Sequence, residues 1–270
     1  MYKKTKFDSF IFQYYPNDFI ANLSIEKEKF WEPHITNFVK KYASKYNIKN
    51  ILDIGANFGY HTLFFSKYGN VYAFEPQPQN FELLKSNVEN NNITNVVLFN
   101  SACSDTKEKV YMPIIPIKNF TDTLLNMGDI TPNLYIRETN NYAMIDSVLI
   151  DNICFDSVEL VKIDVQGWEI NVINGMKNTI EKHKPTIIIE FEEHQMRKVG
   201  KTCKDLYDLI IDMGYYIFYL DYEYPSDHIC VHKNNLDDFI KSFSDFIFEH
   251  TENNNINNNI NLGISKKIKI

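Results

Sequence analysis

The stretch Asp53-Ile54-Gly55-Ala56-Asn57-Phe58-Gly59 sits where a short apolar run gives way to helical periodicity. Ile51-Leu52-Asp53-Ile54 reads as a strand and Tyr60 to Tyr68 as a helix closed by Gly69, so a glycine-bearing turn joins the two. Glycine at 55 permits a sharp turn and a close approach of ligand to main chain, while the helix N-terminus beyond it offers unpaired N–H groups. Such a turn can cradle a nucleotide cofactor. Its spacing departs from the G-x-G-x-x-G of dinucleotide sites, because Asn57 takes the second glycine position and the last glycine comes one residue early. A pyrophosphate would lose its closest backbone approach there. Glu75 ends the second strand, Val71-Tyr72-Ala73-Phe74, at the offset from Asp53 where a carboxylate accepts both hydroxyls of an adenosine ribose. Turn and acid together point to an adenosyl cofactor without phosphates.

Outward from this turn, strands and helices alternate as in β-α-β units, which predicts an α/β fold with a parallel sheet over residues 51–232. A helix is expected over Pro78 to Asn90, then strands at 96–99, 160–163 and 186–189. Ile170, Ile173, Met176 and Ile180 form one helical stripe, and Leu206, Leu209, Ile210 and Met213 another. Two last strands, 215–220 and 228–231, flank a turn at Pro225-Ser226-Asp227 and could pair as a hairpin. Pro113, Pro116, Gly128 and Pro132 interrupt residues 101–147, which read as a lid or substrate-binding insertion. Residues 1–50 read as a mostly helical leader or cap. It ends in an amphipathic segment carrying Ile35, Phe38, Val39 and Tyr42, with Pro33 in its first turn. Residues 233–250 read as an amphipathic helix whose stripe, Leu236, Phe239, Ile240, Phe243 and Ile247, would cover the core or a second subunit in a homodimer. The Asn-rich residues 251–270 read as disordered.

Composition narrows the function. With 270 residues, 44% hydrophobic and 23% charged, the chain can bury a substantial core. Asp and Glu outnumber Lys and Arg by 35 to 28, a formal charge of −7, which disfavours broad capture of nucleic acid or anionic membrane and suits a small-molecule or glycan partner. No apolar run approaches a membrane span. Cys103, Cys154, Cys203 and Cys230 are far apart, without a C-x-x-C pair, and read as reduced thiols of a cytoplasmic protein.

Three groups of residues resemble the FkbM-type methyltransferases: Asp53-Ile54-Gly55-Ala56-Asn57-Phe58-Gly59-Tyr60, Ala73-Phe74-Glu75-Pro76, and Val161-Lys162-Ile163-Asp164-Val165-Gln166-Gly167-Trp168-Glu169. Asn80-Phe81-Glu82-Leu83-Leu84 and Asn100-Ser101-Ala102-Cys103-Ser104-Asp105 extend the likeness, which spans about residues 30 to 232. The resemblance implies a class I methyltransferase, Rossmann-like fold: a seven-stranded, mostly parallel sheet with an antiparallel last strand and helices on both faces. It implies S-adenosyl-L-methionine as cofactor and O-methylation of a sugar or other small-molecule hydroxyl. It further implies that Asp53, Gly55, Ala56 and Asn57 hold the methionine end, that Glu75 takes the ribose, and that Ser101 and Ala102 border the adenine. Asp164 and Gln166 would face the sulfonium and acceptor. Gln166 stands where family members commonly carry Glu, and a neutral amide is neither a base nor a good metal ligand.

A sugar hydroxyl is a poor nucleophile, so a base within hydrogen-bond reach is expected at the carboxyl ends of the strands. Asp164 and His194 are the candidates. His61 reads as a packing or capping residue instead. Asp164 with the acids of Glu190 to Glu193 could bind Mg²⁺, although no metal is expected. Two other functions fit the same residues: an NAD-dependent sugar oxidoreductase or epimerase, and a noncatalytic adenosyl-cofactor-binding protein.

Overall fold

The computed structural model describes residues 2–115, 141–220 and 226–243. The chain opens with a hairpin, β1 (Lys3–Phe7) against β2 (Phe10–Tyr14), Phe7 opposite Phe10. This corrects the expectation of a mostly helical leader. Buried Phe10, Phe12 and Tyr14 alternate with more exposed Ile11 and Gln13, which is strand period, and Asp8 adopts φ +51° in the tight turn. Phe10 meets Phe64 edge-on with ring centroids 5.3 Å apart, so the hairpin is anchored by aromatic burial. Next come α1 (Phe19–Leu23), capped by the Asp18 carboxylate, and α2 (Pro33–Lys45), which starts at Pro33 as expected.

The central elements follow as β3 (Asn50–Ile54), α3 (Tyr60–Phe65), β4 (Asn70–Phe74), α4 (Pro78–Asn90) and β5 (Val96–Phe99). After short strands β6 (Ala102–Cys103), β7 (Lys109–Pro113) and β8 (Tyr142–Val148), regular alternation resumes with β9 (Leu160–Ile163), α5 (Glu169–Asn174), α6 (Lys177–His183) and β10 (Thr186–Phe191). Then come α7 (Glu193–Lys198), α8 (Cys203–Asp212), β11 (Tyr215–Tyr219) and β12 (Ser226–His232), with a last helix, α9, over 236–243.

Seven strands form one sheet in the order β11-β12-β10-β9-β3-β4-β5, parallel except for β12, which runs against both its neighbours. This is the expected arrangement with an antiparallel last strand. The stripe through Ile170, Ile173, Met176 and Ile180 is buried, but it belongs to two helices rather than one. Asp151 explains the break: its carboxylate accepts from Asn178 N–H and Thr179 N–H, capping α6 as a separate helix.

Alternation along the strands sends successive side chains to opposite layers. Ile51, Leu160 and Ile188 join the aromatic layer formed with the hairpin, α2, α3 and α4, whereas Leu52, Val161 and Ile187 face α5, α6 and α8. Phe239 and Phe243 of α9 pack on Phe38 of α2 at 6.3 and 5.6 Å. Phe239 and Phe243 of the stripe therefore cover this chain's own core, the first of the two partners expected for it. Ile247 and the Asn-rich segment 251–270 lie outside the described residues. The described ends of 101–147 form a small sheet, β6-β8-β7, while the lid expectation falls mainly on 116–140, also outside.

Candidate active site

The order of the sheet strands reverses between β3 and β9, the place where open α/β sheets bind ligands beyond their carboxyl ends. A cavity of about 400 Å³ opens there. It is walled by the exits of β3, β4, β9 and β10, by the 101–103 segment, and by α1 and Trp31-Glu32 from the leader.

On the β4 side, Glu75 is 5% exposed and reaches the cavity wall. Asn57 N–H donates to its Oε2 and Gln77 N–H to its Oε1, both at 2.8 Å. Burial pushes the carboxyl up to about 7 against the pull of these two donors. Ser101 and Ala102 line the cavity beside it, together with Gly55 and Asn57. Asn57 itself sits at φ +53°.

Asp53 and Ala56 are placed differently from the expectation that they hold the methionine end. Neither lines the cavity. Asp53 is fully buried behind the wall, where Thr62 Oγ1 donates to its Oδ2 at 2.5 Å and Lys162 lies opposite it in the β3–β9 register. Ala56 is spent on the core, and its N–H donates to the Phe74 carbonyl.

At the β9 exit, Lys162, Asp164 and Gln166 form one network. Lys162 Nζ lies 3.2 Å from Asp164 Oδ2, while Gln166 Nε2 donates to Asp164 Oδ1 at 2.9 Å and to Glu190 Oε2 at 3.2 Å. Burial would raise the Asp164 carboxyl, but the Lys162 charge and the Gln166 amide outweigh it and hold it below the usual carboxylate range. The neutral residue 166 is thereby explained. Its amide bridges two carboxyls, and the bend that aims it is a left-handed φ of +55°. Glu190 is driven well upward by burial and by Asp164 and Asp227 nearby. His194, in the first turn of α7, also faces the cavity.

Two residues that sequence reasoning passed over matter here. Lys162 is 3% exposed in a strand buried along its whole length, and the signal was a lone cation inside an apolar strand with an acid two residues on, on the same face. Glu32 comes from the leader, forms part of the cavity wall, and lies 2.7 Å from His61 Nε2. Nothing local in the sequence announced that meeting, since the pair is 29 residues apart. Among the described residues no set of three or more His, Cys, Asp or Glu side chains assembles as a metal site.

Glu169 anchors the loop below. Its Oε1 accepts from Val165 N–H and Gly167 N–H, and burial pushes it up to about 7. For Glu75 and Glu169 the folded state keeps a proton that the unfolded chain gives up near its ordinary value of 4.5. Stability is therefore lost as pH rises through the window from about 4.5 to about 7, by about 3 kcal/mol per group at most. Urea melts of the protein without ligand should show lower stability at pH 8 than at pH 5.5. Glu169→Gln should reduce the slope, and an unchanged slope would show that Glu169 is not one of the titrating groups.

Fold and site together define a nucleotide-crevice α/β protein with the strand arrangement of class I methyltransferases. The chain belongs to the FkbM methyltransferase family: the profile of the methyltransferase FkbM domain matches residues 53–217. It is similar to the hexuronic acid methyltransferase AglP of Haloferax volcanii, 28% identical over 129 residues, which is 48% of this chain and 50% of the relative. The chain thus spans about half the length of that curated relative. Among solved structures it is similar to methyltransferase FkbM from Methylobacillus flagellatus KT, with a TM-score of 0.47 and 16% identity over 72% of this chain and 50% of that one. It is also similar to SMU.1697c from Streptococcus mutans, solved in complex with SAH, with a TM-score of 0.44 and 11% identity over 75% of this chain and 98% of that one. No helix among the described residues is long and apolar enough to cross a membrane.

Proposed function

We propose that this protein is an S-adenosyl-L-methionine-dependent O-methyltransferase acting on a hydroxyl of a sugar or a sugar-containing small molecule. Family membership supports the reaction class. The observation that carries the finer reading is the charge of the cavity wall: among the described residues it bears Glu32, Glu75, Asp164, Glu190 and Glu192 and no Lys or Arg.

The residues present fit the cofactor. Each Glu75 oxygen accepts one backbone N–H, and a carboxylate oxygen has a further lone pair with which to receive a ribose hydroxyl. Ser101 and Ala102 would border the adenine. The Gly55–Asn57 turn and the β9 exit at Asp164 and Gln166 would hold the amino-acid end. When bound, the cofactor supplies an electrophilic methyl group on a sulfonium. The chain's own task is then to position an acceptor oxygen in line and to take its proton.

An uncharged hydroxyl suits a wall of carboxylates. A uronate carboxylate, the anion that a hexuronic acid carries, would find no Lys or Arg on the same wall to pair with. The buried thiols of Cys103, Cys203 and Cys230, all unbridged, accord with a reducing, cytoplasmic setting.

S-adenosylhomocysteine at about 100 times its dissociation constant should add roughly 2.7 kcal/mol of apparent stability, a rise of about 5–10 °C in melting temperature. Glu75→Ala should abolish that rise. With labelled cofactor, neutral methyl glycosides of glucose, galactose and mannose should be methylated at least tenfold faster than methyl glucuronide. Absence of a shift with S-adenosylhomocysteine, or a shift with NADH instead, would sink the reading in favour of the oxidoreductase alternative. Binding without transfer to any acceptor would favour the noncatalytic one.

A further inference from the structure

Glu32 occupies an unusual place. It is the residue before Pro33 at the start of α2, in a left-handed conformation with φ +42° and ψ +60°, which non-glycine residues adopt rarely. At a helix N-cap a side chain ordinarily accepts from the helix amides, yet that of Glu32 makes no such bond. Its carboxylate turns to His61 of α3, at 2.7 Å, and remains part of the cavity wall with 23% of the side chain exposed. The backbone beside it is pinned, since Trp31 N–H donates to the Tyr60 hydroxyl at 2.9 Å.

His61 is built to orient. It is buried, its Nδ1 has no partner among the described residues, and burial lowers its pKa to about 3. A neutral imidazole whose Nε2 faces a carboxylate carries its proton on Nε2, so His61 donates to Glu32. Three of the other four carboxyls on the wall are less suited to take a proton. Asp164 is ion-paired to Lys162 and held low, Glu190 is held to Gln166 and driven upward, and Glu75 is occupied by two backbone donors.

Resting on the methyltransferase reading above, we propose that Glu32 is the catalytic base for the acceptor hydroxyl and that His61 is its positioning residue. The hydroxyl proton passes to the Glu32 carboxylate as the oxygen forms its bond to the methyl carbon. The carbon–sulfur bond breaks with its electron pair left on sulfur, so the positive charge of the sulfonium and the negative charge of Glu32 disappear together. Partial burial and the Asp164 charge raise the proton affinity of Glu32, while Lys162, His34 and a hydrogen bond from Trp31 work in the opposite direction. Glu190 of β10 and Asp227 of β12 face the same region from the strands. The acid limb of turnover should accordingly lie above the ordinary carboxylate range.

The test uses the full chain, labelled S-adenosylmethionine and the three neutral methyl glycosides, after the shift with S-adenosylhomocysteine has been read for each variant. Glu32→Gln should keep the ligand-induced shift and lose roughly 10²–10⁴ in turnover, with the acid limb gone from what remains. His61→Asn should lose less and move the limb. Turnover of Glu32→Gln within threefold of wild type with the limb unmoved overturns the assignment. Loss of the shift in that variant, which would make Glu32 a binding or folding residue, overturns it as well. A collapse of turnover in His194→Gln with Glu32→Gln unaffected would transfer the role to His194. A wild type that binds S-adenosylhomocysteine but methylates no glycoside removes the acceptor reading and this inference with it, and a wild type that does not bind removes the cofactor reading first.

Discussion

Gly55→Ala is expected to cost about 3 kcal/mol or more and to lower the melting temperature by roughly 6–12 °C, because the added methyl has nowhere to go. A Cβ at residue 55 would stand 1.8 Å from the Asp164 carbonyl oxygen and 2.8 Å from its carbon. The obstacle is backbone, so no side chain can rotate away. Residue 55 also sits at φ +83°, which an L-alanine resists. The turn cannot move as a unit either: Gly55 N–H donates to the Phe74 carbonyl at 3.0 Å and Asp164 N–H to the Ile54 carbonyl at 3.1 Å, locking β4, β3 and β9 together at the cavity. Relief of the overlap must push the β9 exit away and displace Asp164 and Gln166, so the S-adenosylhomocysteine shift should go as well. Gly200→Ala is the matched control. Residue 200 has φ +74°, but a methyl added there would meet nothing within 4 Å, so only the conformational penalty of about 1–2 kcal/mol applies. Equal losses at the two positions would refute the close-approach account.

That glycine also marks how far a linear reading reaches. The turn, its strand and its helix were legible because the signals are local: an apolar run, a glycine, then helical period. The expected purpose was different, however. Closeness of a ligand to the main chain was the anticipated reason for Gly55, whereas the neighbour that forbids a side chain is the carbonyl of Asp164, 109 residues away in sequence. The hairpin at 3–14 was legible in period but short, and its stability comes from rings on α3 that no local window contains. Glu75, Ser101, Ala102, Asp164, Gln166 and His194 do share the cavity, since strand exits on one edge of a parallel sheet must converge. Asp53 does not, because its carboxylate points from within β3 toward Thr62 and the Lys162 side rather than from the turn. Glu32 escaped notice, and His61 read as a packing or capping residue, for the complementary reason. Their chemistry exists only once α2 and α3 pack side by side, and each alone resembles an ordinary surface or packing residue.

Lys162→Met should destabilise the protein by about 3–5 kcal/mol at pH 8, with a pH dependence that a simple cavity would lack. The ammonium is buried in the central strand β9, between β3 and β10, with Asp164 at 3.2 Å and Asp53 opposite it in register. Burial alone would lower its proton affinity, but Asp164, Asp53 and Glu32 together raise it, so it is charged at any working pH. In the wild type the Asp164 carboxyl is held below 3.8, so its pairing contributes stability above that value and is lost only in strong acid. Methionine fills the volume of the lysine stem and leaves the carboxylates without their cation. Burial then dominates, and the Asp164 carboxyl rises above its unfolded value. From that point the sign reverses: the cost appears as pH climbs above about 3.8 and grows until the raised folded value is passed. The stability gap between variant and wild type should therefore narrow steadily in urea melts taken from pH 8 down to pH 5. Adding Asp164→Asn to Lys162→Met should recover much of the loss at pH 8 by removing the orphaned charge, since a buried pair is costly to break and far less costly to neutralise. A constant gap across that pH range, or no recovery in the double variant, would mean that lost packing rather than unpaired charge sets the penalty, and that Lys162 is a spacer beneath the site and not its counter-ion.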